Sequence, residues 1–485
     1  MGRIYAGLLL AALCGTGCGK MKEPGARGSI ERHKDGSRLK ARVITTSDGL
    51  RWFQRIHDSR KQMDCSWAKV APDGAYYCVD DSVHSLDAAP GSLGTYFTDA
   101  HCTHSLVYFF NRAPGPNAIV EMPDDTCDEL LRFHFVGARW GKAYYRRNPH
   151  GVCVQEELNA ASLYQVGPAL VPGDHFVRGT LREKQSGKGI KAYVIAGEDG
   201  SETFRTLHDT THDTDCIIDR ARDGTFRCLP SSAAWGRFDA TSVDPACTER
   251  VFTEFNRPAC PRPPFARQLN LDKACTPSVK VFAVKEEVTQ VYAPASETDP
   301  TCRPAPPAPP NTRYYRIGAE LPAATWPQAK EVDLKVHGRL IVRGMELAGA
   351  VRIPDELFDT RLGTWCTFRT DPSGTERCFP SRHGLGLQLG YFADATCTTR
   401  VAPVSPEPCS PGGYALSTDP IDVPRPRSRA YTVGPKHEGR IYALSEDGPN
   451  AGTCAEVERS SPLPLYGVGA ELEATSLVQG TETLN

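Results

Sequence analysis

Residues 215–230 read DCIIDRARDGTFRCLP, and related copies of this segment occur twice more in the chain. Residues 64–80 read DCSWAKVAPDGAYYCVD, and residues 365–380 read WCTFRTDPSGTERCFP. Each copy predicts two short strands joined by a Gly-containing turn, with one cysteine on each strand. The chain is therefore expected to contain three copies of one β-rich unit.

Further cysteines keep the same period of about 150 residues, which is far longer than that of common solenoid repeats. Four sets of three share it: Cys65, Cys216 and Cys366; Cys78, Cys228 and Cys378; Cys102, Cys247 and Cys397; and Cys153, Cys302 and Cys454. Each unit must then be domain-sized or contain several smaller units. We expect repeat 1 over residues 36–178, repeat 2 over 179–327 and repeat 3 over 328–485.

The local composition predicts an all-β fold. Short runs rich in Val, Ile, Tyr and Ala follow a Gly or Pro, as strands leaving turns do, at residues 191–195, 279–284, 339–342 and 440–444. No stretch combines sustained helical spacing with caps at both ends. About eight strands per repeat would make six four-stranded blades, which favours a six-bladed β-propeller. Three tandem β-sandwich-like domains are the alternative.

The N-terminus has the pattern of an export signal. Arg3 precedes an apolar run over residues 4–13 that ends in small residues, which predicts a signal peptide over residues 1–17. Residues 15–18, GTGC, resemble a bacterial lipobox. The resemblance implies that Cys18 is lipidated, that residues 18–35 form a tether, and that the protein is held at the outer membrane or cell surface. Cys14 is the poorer lipidation candidate, and ordinary secretion with cleavage near Gly17 is the alternative.

Composition supports export and excludes one class of partner. The chain has 56 basic and 58 acidic residues and a formal net charge of −2, which gives no support for a nucleic-acid partner. Its 18 cysteines would be unusual in a protein kept reduced in the cytosol. With the signal and the repeats, the chain resembles cysteine-rich bacterial envelope lipoproteins with internal repeats.

The cysteines are expected to form structural disulfides rather than metal sites, because no Cys-x-x-Cys occurs. The simplest bridges lie within the repeated hairpins: Cys65–Cys78, Cys216–Cys228 and Cys366–Cys378. Spacing suggests four more: Cys247–Cys260, Cys397–Cys409, Cys127–Cys153 and Cys275–Cys302. Cys102 and Cys454 remain and could close a ring between repeats 1 and 3, or Cys102 could pair with Cys127.

Residues 208–215, HDTTHDTD, are the strongest candidate for a metal site, because imidazole and carboxylate groups bind divalent ions. The other copies have His57-Asp58 and Phe358-Asp359 at the place of His208-Asp209, so only the Asp recurs, which favours a turn residue. No nucleophile elbow, zinc-protease helix or phosphate-binding loop occurs. We therefore expect no catalytic residue, no metal and no cofactor.

These observations favour a membrane-anchored binding scaffold for a protein, peptide or glycan, without a nucleic-acid partner. An exported polysaccharide hydrolase or lyase is the first alternative, and its hydrolase form requires two carboxylates roughly 5–10 Å apart in one pocket. A structural envelope component is the second. Any functional surface is expected where the three copies differ, in the loops between the disulfide-bonded hairpins.

Overall fold

The structure, a computed structural model, describes residues 29–80, 84–85, 96–109, 119–123, 130–147, 152–156, 162–231, 241–255, 261–270, 278–294, 301–305, 312–381, 385–386, 391–403, 413–418, 427–444, 452–458 and 465–485. Cys18 and four of the cysteines assigned to bridges, Cys127, Cys260, Cys275 and Cys409, lie outside these ranges. Within them, no helix has the length and apolar character needed to cross a membrane.

Strands dominate the described residues, and their order repeats. The first set comprises β1 (His33–Lys34), β2 (Leu39–Thr46), β3 (Arg51–Asp58), β4 (Met63–Val70), β5 (Ala75–Asp80), β6 (His84–Ser85), β7 (Tyr96–Phe97), β8 (Ser105–Phe109), β9 (Ile119–Pro123), β10 (Leu131–Arg139), β11 (Tyr144–Arg147), β12 (Cys153–Glu156) and β13 (Ser162–Ala169). A short helix α1 (Pro172–His175) leads into β14 (Arg178–Gly187), β15 (Ile190–Gly197), β16 (Glu202–Asp209), β17 (Thr214–Arg220) and β18 (Phe226–Pro230).

The second repeat continues with β19 (Val251–Phe255), β20 (Phe265–Asn270), β21 (Ser278–Val288), β22 (Tyr292–Pro294), β23 (Cys302–Pro304) and β24 (Thr312–Glu320). After a 3-10 turn at Ala323–Thr325 come β25 (Ala329–His337), β26 (Leu340–Leu347), β27 (Val351–Asp359), β28 (Thr364–Thr370) and β29 (Glu376–Pro380). The chain ends with β30 (Leu385–Gly386), β31 (Tyr391–Phe392), β32 (Arg400–Pro403), β33 (Tyr414–Thr418), β34 (Ser428–His437), β35 (Ile441–Leu444), β36 (Cys454–Val457), β37 (Leu465–Glu471), a 3-10 turn at Ala474–Ser476, and β38 (Gln479–Leu484).

Three five-stranded antiparallel meanders carry the repeated hairpins. Meander B consists of β14 to β18, and meander C of β25 to β29. Meander A consists of β38 followed by β2 to β5. The C-terminal strand therefore supplies the first strand of the N-terminal meander, by pairing its residues 480–484 with residues 42–46 of β2.

Backbone pairing links the meanders in a circuit. The last strand of meander A, β5, pairs with β14 of meander B, and β29 of meander C pairs with β38. Arg227 of β18 forms an isolated bridge to Gln328, next to β25. The all-β class is confirmed, but the expected six-bladed propeller is not found in the described part of the chain, whose strands form sheets of 24, 8, 4 and 2 strands. The pairing between repeats also differs from three tandem sandwiches.

Each junction between meanders contains an apolar cluster built around one hairpin disulfide. At the A/B junction Cys65–Cys78 packs with Val177 and Ile195, at B/C Cys216–Cys228 packs with Met345 and Leu347, and at C/A Cys366–Cys378 packs with Ile44 and Leu50. These are the three hairpin pairs that the spacing predicted. Closing loops of this length stabilises a fold by roughly 2–4 kcal/mol each.

The hairpin turns follow from their Asp and Gly residues. Gly74, Gly224 and Gly374 have φ angles of 67°, 79° and 88°, which a residue with a Cβ rarely adopts. Asp223 accepts a hydrogen bond from the Thr225 N–H at 3.0 Å, whereas in the third copy Asp371 accepts from the Thr375 N–H at 2.9 Å. Burial of Asp371 acts to raise its pKa, but hydrogen bonds from Ser373 and Arg377 outweigh it and lower that pKa to about 2. The turn is therefore built around an ionised carboxylate.

The other disulfides correct the predicted pairing. The structure joins Cys102 to Cys153, Cys247 to Cys302 and Cys397 to Cys454, with Cα–Cα distances of 5.9, 5.8 and 5.7 Å. The pairs Cys247–Cys260, Cys397–Cys409, Cys127–Cys153, Cys275–Cys302 and Cys102–Cys454, and the alternative Cys102–Cys127, are therefore wrong. In the first repeat β11 pairs with both β7 and β12, which brings Cys153 to the turn that holds Cys102. Strand pairing, rather than the nearest spacing, selects the partner.

A buried Asp ends the third strand of every meander: Asp58, Asp209 and Asp359 are each 0% exposed. Asp58 and Asp359 accept backbone N–H groups of the next turn and pair with Arg38 and Arg339 at 2.8 and 2.6 Å. Each arginine also donates to a carbonyl at the end of the short helical turn before the next meander, that of His175 or Ser476. These ion pairs thus tie meander A to meander B and meander C to meander A.

Candidate binding groove

A groove opens where the last two strands of meander B leave the rest of its sheet. β16 pairs with β17 only through residues 207–209 and 214–216, after which the β17–β18 hairpin diverges. Between this hairpin and meander C lies a cavity of about 640 Å³. We call it groove B/C. It is lined by Arg32, Phe204, Arg205, Thr206, Leu207, Cys216, Ile217, Ile218, Asp219, Arg220, Phe226, Glu331, Arg343, Met345, Ile353, Asp355 and Trp365.

The floor of groove B/C is continuous with the core of the junction. Cys216 is 1% exposed and belongs to the B/C apolar cluster, against which Ile218, Phe226 and Ile353 pack. The hairpin disulfide and this cluster pack beneath the floor. The groove is therefore formed by the folded core rather than by a surface loop. Its volume falls within the range of small-molecule sites, roughly 300–1,000 Å³.

Four arginines line groove B/C, and three of them lie over aromatic rings, Arg205 over Tyr76 of meander A at 5.6 Å. The Arg220 guanidinium lies 4.6 Å from the Phe226 ring centroid, and that of Arg343 lies 4.0 Å from Phe358 and 5.2 Å from Trp365. Stacking of this kind fixes the guanidinium plane while leaving its edge able to donate hydrogen bonds.

Arg32 enters the groove from the N-terminal segment, which contacts all three meanders. Its Nη2 donates to the Pro354 carbonyl of meander C at 2.7 Å, and its own carbonyl accepts from the Phe204 N–H of meander B at 3.0 Å. Next to it, the His33 ring stacks on Phe53 of meander A at 5.8 Å. Residues 29–35, the end of the segment expected to form the tether, are therefore part of the folded body, and Ile30 is 3% exposed.

Three carboxyl side chains also line the groove, which bears on the hydrolase alternative. Asp219 is committed to an ion pair, because its Oδ2 accepts from Nη2 of the fully buried Arg267 at 2.7 Å. Burial lowers the pKa of Arg267, and Asp219 acts in the opposite direction. A carboxylate held by a buried arginine serves the structure rather than proton transfer; the other two carboxyl groups in the lining are those of Glu331 and Asp355.

The internal repeat supplies two further versions of this groove. At the C/A junction the equivalent space is lined by Phe368, Arg369, Thr370 and Glu376 and measures only about 230 Å³. At the A/B junction Trp67 takes the place of Ile218, two residues after the first hairpin cysteine, and Tyr76 takes the place of Phe226. The Trp67 Nε1–H donates to Thr203 at 3.0 Å, and Arg205 lies over Tyr76 at 5.6 Å. Repeat 1 thus fills with its own side chains the space that groove B/C leaves open.

In the candidate metal cluster of residues 208–215, the histidine side chains contact aspartate side chains of the same cluster. Nδ1 of His208 lies 3.0 Å from Asp215, and Nδ1 of His212 lies 2.7 Å from the buried Asp209. The His212 ring also lies 4.0 Å from the Trp326 ring. Among the described residues, no group of three or more potential metal ligands was found. His212 takes the role that arginine has beside Asp58 and Asp359, so this cluster belongs to the B/C junction.

Sequence reasoning missed the residues of groove B/C, although one signal was available. The three hairpins have Trp67, Ile218 and Phe368 at one position, but differences between the copies were expected to matter in the loops between the hairpins rather than on the hairpins themselves. What the pattern does not contain is the contact between this position and the next meander. Arg32 carried no signal at all, since it precedes the first repeat.

A model of a family of unknown function, DUF7481, matches residues 131–457, which is more than half of the chain. The match runs from β10 to β36 and includes every residue lining groove B/C except Arg32. No curated protein and no solved structure matches the chain.

Proposed function

The chain belongs to DUF7481, a family of unknown function, and we propose that it is an exported, lipid-anchored binding scaffold whose ligand lies in groove B/C. One observation carries the proposal: of three equivalent junctions, repeat 1 fills its space with Trp67 and Tyr76, whereas B/C keeps a cavity of about 640 Å³. A cavity lined by aromatic and arginine side chains is typical of ligand sites.

Export is supported by the six disulfides among the described residues, since such bonds persist in oxidising compartments. Anchoring is the further step, and it rests on the resemblance of residues 15–18 to a lipobox. An acylated Cys18 would lie 12 residues before Ile30, which is buried in the folded body, and each buried methylene of an acyl chain adds roughly 0.8 kcal/mol of membrane binding.

The anchor gives a direct prediction. Cells expressing the protein and fed a clickable palmitate analogue should incorporate label into the wild-type chain and into Cys14→Ser, but not into Cys18→Ser. The reason is that only the lipidated cysteine offers the thiol and the new N-terminus that are acylated. Label that persists in Cys18→Ser would contradict the anchor while leaving the groove proposal unaffected.

The groove gives a second prediction, for which repeat 1 supplies the substitution. Ile218→Trp installs in groove B/C the residue that fills the A/B junction, so it should weaken ligand capture by roughly tenfold or more, equivalent to about 1.4 kcal/mol or more. The measurement is retention of ligands from envelope extract and from a glycan array by the exported Cys18→Ser chain, with and without Ile218→Trp.

Leu269→Trp is the matched control, because Leu269 is 51% exposed on β20 and does not line the groove. It should leave retention unchanged, and both variants should show the wild-type thermal unfolding transition. Equal retention by the wild-type chain and Ile218→Trp would place the ligand elsewhere. Release of reducing sugar from a bound polysaccharide would instead support the hydrolase alternative.

A further inference from the structure

We propose that groove B/C binds an extended acidic peptide, which adds as a strand to the open edge of β17. The inference rests on the proposed function, because it names the class of ligand for the same groove. It commits to a peptide rather than a glycan on three observations: an unpaired strand edge, the positions of the arginines, and the state of the aromatic rings.

The strand edge is the first observation. β17 pairs with β18 along residues 216–220, but on its other side with β16 only through residues 214–216. Beyond the paired residues, the backbone of Ile217 to Asp219 has no strand neighbour on that side within the described part of the chain; the next backbone bridge is that of Ala221 with Val279. Backbone donors and acceptors of an unpaired edge are a template for another chain.

The cavity lies against this edge. Its lining includes Ile217 to Arg220 on one wall and Phe204 to Leu207 of β16 on the other. A peptide in the cavity would therefore contact the unpaired edge of β17 on one side and side chains of β16 and meander C on the other. Strand addition uses this arrangement: main-chain hydrogen bonds hold the peptide, while alternate side chains enter flanking pockets.

Arginine positions favour acidic side chains on the peptide. The Arg32 guanidinium donates hydrogen bonds to the carbonyl oxygens of Pro354 and Asp355, at 2.7 and 3.4 Å, which are neutral groups. Burial lowers the pKa of Arg32, and the nearby Asp355 acts in the opposite direction. A ligand carboxylate beside Arg32 or Arg220 would form a charge-assisted hydrogen bond, which is about twice as strong as a neutral one.

The aromatic rings argue against a sugar as the main ligand. Sugar rings bind on open aromatic faces, but Arg220 covers a face of Phe226, and Arg343 covers one of Trp365. Phe226 lies on the β17–β18 hairpin, and Trp365 lies on meander C. The unpaired edge of β17, in contrast, can form main-chain hydrogen bonds with the backbone of a peptide.

The probe is a phage-displayed library of random 12-residue peptides, panned on the exported Cys18→Ser chain with Ile218→Trp as counter-selection. Enriched peptides should carry Asp or Glu and strand-forming residues at alternate positions. Synthetic copies should bind with a Kd that rises roughly tenfold or more when alternate amides are N-methylated, because each methyl group removes a backbone donor.

A charge variant has a matched control two residues away. Arg220→Gln should weaken binding of the enriched peptides several-fold, whereas Arg222→Gln should not, since Arg222 lies outside the groove and pairs with Glu320. No enrichment over Ile218→Trp, or N-methylated peptides that bind as well as the parents, would overturn the inference. If polygalacturonate binds and Ile218→Trp abolishes that binding while peptides fail, the groove proposal stands and the peptide inference falls.

Discussion

A chain that ends after Val478 is expected to lose the cooperative unfolding transition of the full-length protein. Residues 479–485 include β38, which pairs with β2 over residues 480–484 and with β29 at residues 479 and 480. Gly480 lies directly on the C/A core, because a Cβ there would come within 2.1 Å of Ile44. Removing this strand opens the circuit of meanders and uncovers that core. Whole domains are stable by only about 5–15 kcal/mol, so a loss of this kind consumes most of the stability.

Denaturant unfolding followed by near-UV circular dichroism and by tryptophan fluorescence measures the effect. The truncated chain should show a broad or shifted transition, and a synthetic peptide of residues 478–485 added in trans should partly restore the original one. Leu484→Ser is the control, since Leu484 is 43% exposed; surface substitutions usually change stability by less than about 0.5 kcal/mol. A truncated chain with the wild-type midpoint would show that β38 is dispensable.

Asp359→Ala is expected to destabilise the protein by about 3–5 kcal/mol, the usual cost of removing one partner of a buried ion pair. The change leaves Arg339, which pairs with Asp359 at 2.6 Å, without its carboxylate. It also removes the acceptor of the Arg361 and Leu362 N–H groups, which lie at 2.9 and 3.1 Å. Since Arg339 bridges to the Ser476 carbonyl, the C/A junction should loosen together with the turn.

The equivalent substitution in meander B is the matched comparison. Asp209→Ala removes an acceptor of the Thr211 N–H and of His212, but no arginine is left behind, so its cost should be nearer to about 1–3 kcal/mol. Midpoints of chemical denaturation for both variants give the difference. Equal costs would mean that the arginine contributes nothing at the C/A junction, and that the Asp acts only on its own turn.

Local features of this fold were predictable because neighbouring residues decide them. A Gly at positive φ and cysteines 12 or 13 residues apart specify a hairpin and its disulfide within one segment. The runs at 191–195 and 279–284 lie in β15 and β21, as their composition indicated. The number of strands in each meander was less predictable, since the first strand of meander A comes from the C-terminal end of the chain.

The longer disulfides show where spacing alone misleads. Cys247 lies 13 residues from Cys260 but pairs with Cys302, 55 residues away, because strand pairing carries the two together. The period did contain the answer: Cys102, Cys247 and Cys397 recur in phase, and so do Cys153, Cys302 and Cys454. If each cysteine of the first set pairs with the cysteine of the second set in the same repeat, all six cysteines are used and only one pairing is possible. Nearest-neighbour spacing was the wrong criterion for them.

Groove B/C shows the difference between what the sequence predicts and what depends on tertiary contacts. The sequence predicts the three units, their hairpins, the all-β class and an oxidising environment, because each follows from short-range turn chemistry or from composition. Tertiary contacts are needed to show that β38 closes meander A, that Arg32 reaches the B/C junction, and that position 218 faces a neighbouring meander while the first hairpin fills its junction with Trp67. Those facts depend on which strands meet across hundreds of residues, and no local pattern encodes that choice.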